Sequence, residues 1–113
     1  MISRRRITPL YDTYMCGING VTRRDRKLVE RMNAATVHRG PDGVGIYENE
    51  HITFGHNRLA IIDLSPQGAQ PMKSADGSLV ITYNGELYNY RELRRELSDY
   101  PYRSKTDTEV ILA

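Results

Sequence analysis

Residues 24–37 carry a helical period, with Leu28, Val29, Met32, Ala35 and Thr36 falling on one face at spacings of three and four. Pro41 and the glycines of HRGPDG (38–43) stop that helix. The pattern then becomes strand-like in three runs: VGIYE (44–48), ITFGHNRLAIIDL (52–64) and SLVITYNG (78–85). A turn-rich segment, SPQGAQPMKSADG (65–77), separates the last two. A second helix is predicted from Asn89, which with Glu92 fits an Asx variant of the capping box, and Leu93 and Leu97 supply its apolar face. Thr106 and Glu109 repeat the capping pattern ahead of Val110, Ile111 and Leu112. That third helix has barely begun at Ala113, which reads as a domain truncated at its C-terminal side. Residues 1–14 show neither period and lack the apolar stretch of a secretory signal. Residues 1–15 are read as an upstream extension or propeptide-like leader, and 16–113 as the domain proper.

Composition narrows the class. At 113 residues the chain holds one domain, and 39% apolar with 27% charged residues describes a globular chain, not a disordered one. No apolar run nears the roughly 18–20 residues that span a bilayer, so no membrane partner is expected. Cys16 is the sole cysteine, which excludes an internal disulfide framework and any zinc site built on two thiolates. His38, His51 and His56 lack metal-ligand spacing, so no metal is expected. The net charge of +2 resides in the leader, through Arg4, Arg5, Arg6 and Asp12, leaving 13 basic and 13 acidic side chains after it. A neutral body argues against a nucleic-acid partner, which requires a basic face. The arginine triplet reads as a solvated tail or an interaction patch. A free thiol suits the reducing cytosol, and a cytoplasmic location is expected.

Several residues could carry chemistry, each with a plainer reading beside it. Cys16 could be a small buried hydrophobe. It also follows Met15, and removal of a methionine before so small a residue would leave Cys16 with a free α-amine. Such a residue carries a nucleophile and a general base together. Asn84-Gly85 is a common hairpin turn. It also offers a side-chain amide and an unhindered backbone N–H to a developing oxyanion. Arg58 interrupts an apolar strand, where a cation is costly unless paired. Its planar fork suits a carboxylate. Asp107 is a first-turn helix carboxylate, or the anion that holds a substrate ammonium.

Five blocks taken together are more specific: MCGINGV (15–21), HRGPDGVG (38–45), GHNRLAIIDLSPQGAQPM (55–72), YNGELYNYRELR (83–94) and TDTEVILA (106–113). In this order they resemble the class II glutamine amidotransferase domain of glutamine-hydrolysing asparagine synthetases, from Met15 to Ala113. The resemblance implies an α+β fold of the Ntn-hydrolase type, a four-layer α-β-β-α sandwich of two antiparallel sheets, C-terminally incomplete here. It makes Cys16 the nucleophile with its own amine as base, and Asn84 and Gly85 the oxyanion hole. Arg58, Leu59, Ile62, Asn84, Gly85, Glu86 and Asp107 would bind glutamine. It implies no cofactor in this segment. ATP and Mg would serve a synthetase domain, absent here, that amidates aspartate, and a homodimer of the full-length form fits the same resemblance.

Two other readings stay open at this point. The same front half could serve a related ATP-dependent synthetase with another acceptor. It could also be a non-catalytic module that keeps the fold, which a permanently retained leader before Cys16 would favour.

Overall fold

Strand β3 (Thr53–Arg58) is the centre of the molecule, because it is paired on both sides. It runs antiparallel to β1 (Gly17–Val21) and to β2 (Gly43–Glu48), in the order β1-β3-β2. The computed structural model describes residues 16–113. The leader expected at 1–15, with its arginine triplet and Met15, lies outside the described residues. In register, Ile18 and Gly45 flank His56, while Asn19 and Ile46 flank Gly55. Strand alternation therefore sends Phe54, His56 and Arg58 to one face and Gly55 and Asn57 to the other.

Helix α1 (Arg26–Ala35) covers the Gly55 face. Asp25 caps it, accepting from the Leu28 N–H at 3.1 Å. A Cβ on Gly55 would come within 2.6 Å of Val29 Cγ1 and would also overlap the Asn33 side chain, so the absence of a side chain lets the helix settle on the strand. The interface is largely polar. The Asn19 amide donates to Asn33 Oδ1 at 2.9 Å and the Asn57 amide to the Asn33 carbonyl at 2.9 Å, both also reaching Thr36 Oγ1. The Asn33 amide donates to the Gly45 carbonyl at 3.3 Å. These bonds offset most of the cost of burying the amides, although Asn57 Oδ1 is buried without a partner among the described residues.

The opposite face looks toward a second antiparallel sheet of β4 (Met72–Lys73) and β5 (Val80–Ile81), which turns at Gly77 with φ of 76°. His56 Nδ1 and Thr82 Oγ1, 2.8 Å apart, join the two sheets. Helices α2 (Tyr90–Glu96) and α3 (Asp107–Leu112) follow and pack together. Two antiparallel sheets with helices make the α+β class expected from the resemblance.

Several local expectations are corrected. The strand predicted over 52–64 ends at Arg58, and the one over 78–85 shrinks to two residues. The apolar run at 59–62 serves a loop, not a ladder. Helix α1 is shorter than 24–37, with a separate 3₁₀ turn at Val37–Arg39. Ala35 is exposed, whereas Asn33, a polar residue outside the predicted stripe, is buried. Asn89 stands at the α2 N-cap without a side-chain hydrogen bond, and Leu97 and Ile111 are partly exposed. Thr106 does cap α3, accepting from the Glu109 N–H at 3.2 Å. Glu109 does not return the bond to Thr106; its carboxylate takes the Arg103 and Ser104 N–H groups at 2.8 and 2.7 Å.

Candidate active site

Arg58 closes β3 and organises what comes next. Its Nη1 donates to the Ser65 carbonyl at 2.7 Å and its Nη2 to the Asp63 carbonyl, so residues 59–65 wrap around the guanidinium. A cation with directed donors thus replaces the strand partner that this stretch lacks. The loop is braced further by Asp63, whose carboxylate accepts from Ser65 Oγ and from the N–H groups of Ser65 and Lys105, each N–H at 2.8 Å. Those bonds, led by the Ser65 hydroxyl, hold the Asp63 carboxyl down at about 2.

The loop brings Leu59 to Cys16, which sits half-buried just ahead of β1. Cys16 Sγ accepts from the Leu59 N–H at 3.3 Å and donates to the Leu59 carbonyl at 3.6 Å. The Cys16 carbonyl accepts from Arg39 Nε at 3.4 Å. Arg39 comes from HRGPDG, a block to which sequence reading gives no site role.

The third wall follows β5. The Tyr83 N–H donates to Gln70 Oε1 at 2.6 Å, and the Leu87 N–H donates to Asp107 Oδ2 at 2.9 Å. Asn84, Gly85 and Glu86 lie between these two anchors. Asp107 opens α3 and is only 7% exposed.

These segments enclose a cavity of about 350 Å³. Cys16, Arg58, Leu59, Ile62, Asn84, Gly85, Glu86 and Asp107 all line it, so every site residue expected from the sequence converges on one place. Gln70, Tyr83 and Thr108 line it too, and these the sequence reading does not single out. Gln70 lies in the turn-rich 65–77 stretch, where no periodicity marks an inward-facing residue. Chemically, the cavity combines a thiol, the amide side chains of Asn84 and Gln70, one guanidinium and carboxylates that include the buried Asp107, a set suited to a small zwitterion with a polar carbonyl. Among the described residues, no group of three or more His, Cys, Asp or Glu side chains is placed to hold a metal ion. No helix among them is long and apolar enough to cross a membrane.

Comparison with known proteins gives a consistent family. The family described as glutamine amidotransferase domain matches residues 15–113. The chain is 44% identical over 109 residues to asparagine synthetase (glutamine-hydrolyzing) 1 of Bacillus subtilis, covering 88% of this chain and 17% of that protein. It is 43% identical to asparagine synthetase (glutamine-hydrolyzing) of Asparagus officinalis, covering 86% and 17%. With asparagine synthetase B (glutamine-hydrolyzing) of Escherichia coli the identity is 40%, covering 88% and 19%. The chain therefore spans less than a fifth of the length of these relatives.

Proposed function

The chain belongs to the glutamine amidotransferase domain family, and we propose that its cavity hydrolyses glutamine to glutamate and ammonia through a thioester on Cys16. The observation that carries this is the convergence of eight residues from separate segments on one cavity. Arg58 pairs with the substrate α-carboxylate and Asp107 with its α-ammonium, while Glu86 sits at the ammonium end. Leu59 and Ile62 line the same pocket. The Cys16 α-amine takes the thiol proton, and sulfur attacks the side-chain carbonyl carbon. Asn84 Nδ2 and the Gly85 N–H stabilise the oxyanion. The ammonium formed on Cys16 gives its proton to the amide nitrogen of the tetrahedral adduct, so the C–N bond breaks with that nitrogen leaving as ammonia. The same amine then activates water, which cleaves the thioester, releasing glutamate and restoring the thiol.

This chemistry requires Cys16 to be the first residue of the active protein, since an amide nitrogen cannot act as a base. Processing after Met15 supplies it. The names of the relatives support a further step for the whole protein: transfer of the ammonia to ATP-activated aspartate, yielding asparagine, with ATP and Mg held by a synthetase domain. The lone thiol at the centre of the chemistry supports cytoplasmic residence. N-terminal sequencing paired with a glutaminase assay tests the reading. Protein beginning at Cys16 is expected to release glutamate from glutamine, and protein retaining Met1 is not. Equal activity in both forms would overturn it.

A further inference from the structure

Gln70 connects three parts of the molecule. Its backbone carbonyl lies so close to β2 that a Cβ on Gly45 would collide with it. Its side chain spans the cavity wall, with Oε1 accepting from the Tyr83 N–H at 2.6 Å and Nε2 donating to Thr108 Oγ1 at 3.3 Å. Strand β5 ends at Ile81, so the Tyr83 N–H has no ladder partner, and the Gln70 amide stands in for one. At the other end of the same turn, Leu87 is held by Asp107, the neighbour of Thr108. Asn84 and Gly85 are thereby suspended between two fixed points, and Gln70 sets one of them while bracing the helix that carries the other.

We propose that Gln70 is a positioning residue for glutamine hydrolysis, acting through the Tyr83 N–H to place Asn84 and Gly85 relative to Asp107. This rests on the reading of the cavity given above. Oxyanion donors work only when held at hydrogen-bond distance from where charge develops, and small displacements there cost rate. Gln70→Leu removes both side-chain hydrogen bonds and leaves the donors in place but poorly aimed.

A double-mutant cycle in the protein as its host produces it decides the matter. Asn84→Ala is expected to lower kcat by roughly 100- to 1,000-fold. Gln70→Leu is expected to lower kcat by about tenfold or more in the wild-type background and by less than about threefold when Asn84 is already alanine, since groups acting as one unit are not additive. Wild-type kcat in Gln70→Leu, or its full loss repeated on top of Asn84→Ala, would overturn the proposal. If Gln70→Leu does not fold, as read by circular dichroism, the same cycle is run with Gln70→Met. Loss of fold in both variants assigns Gln70 to stability alone and also overturns it. Glutaminase activity of the parent protein and its absence in Cys16→Ala are measured alongside. Failure there strikes the cavity reading, whereas failure confined to the cycle strikes only Gln70.

Discussion

The backbone N–H of Leu59 points at the Cys16 thiol across 3.3 Å. Leu59 follows directly on Arg58, whose guanidinium gathers the loop, so the position of the sulfur depends on a side chain that also faces the cavity. Arg58 thus both lines the cavity and holds the loop that meets the thiol.

Arg58→Lys is accordingly expected to do more than weaken binding. An ammonium cannot hold the Asp63 and Ser65 carbonyls and a substrate carboxylate with the same planar fork. KM for glutamine should rise by about thirtyfold or more, following the ~2–5 kcal/mol lost when a buried charged contact is truncated. A fall in kcat should accompany it as Leu59 loosens. Steady-state glutaminase kinetics check both, and an unchanged KM removes Arg58 from the substrate contact.

Asp107 already accepts one N–H through Oδ2, which leaves Oδ1 to meet an ammonium. Asp107→Asn should nearly abolish the preference for glutamine over its analogue lacking the α-amino group. Competition between the two substrates measures this. A preference that survives unchanged makes Asp107 only a brace for Leu87 and a helix-start carboxylate.

How much of this was legible in the sequence depends on how each contact is encoded. Thr106 and Glu109 announced the start of α3 because a helix cap is a local event within four residues. The stretch 59–64 did not announce a loop, because its apolar run looks the same whether it enters a ladder or wraps around the Arg58 guanidinium. Asn33 was invisible as a core residue, since only its distant partners Asn19, Asn57 and Gly45 make its burial favourable. Likewise, the eight candidate residues that line the cavity were readable from the order of the sequence blocks, whereas Gln70 stands out only after Tyr83 and Thr108 are folded around it.

Close packing of α1 on β3 sets a stability prediction. Gly55→Ala places a methyl group against Val29 and Asn33, in a buried site with little room to give. A loss of about 1–3 kcal/mol is expected, read as a lower urea midpoint. A midpoint equal to that of the unsubstituted protein would mean that α1 can shift on the sheet.

His56 links the sheets in its neutral form. Burial, and secondarily the nearby Arg58 charge, push its pKa down to about 4. An unfolded histidine titrates near 6.5, so between these values the unfolded chain binds the proton first. Stability from this group is complete above pH ~6.5 and drains away by about 3 kcal/mol as pH falls to ~4. Asp63 and Asp76, both held at about 2 by hydrogen bonds, act only below that window, because their stabilisation is lost as pH falls from ~4 toward 2. Urea titrations at pH 7.5, 6 and 4.5 should show the decline, and His56→Gln should flatten it. The same slope in His56→Gln would assign the decline to other groups.

The central claim, that Cys16 forms a thioester with glutamine, is tested most directly by trapping it. The protein is mixed with glutamine, quenched rapidly in acid and mapped by peptide mass spectrometry, with ammonia release followed in parallel for wild type and Cys16→Ala. The expected result is a γ-glutamyl group on the peptide that begins at Cys16, with no ammonia from the alanine variant. Ammonia release from Cys16→Ala at the wild-type rate, or the adduct on a different residue, would contradict it.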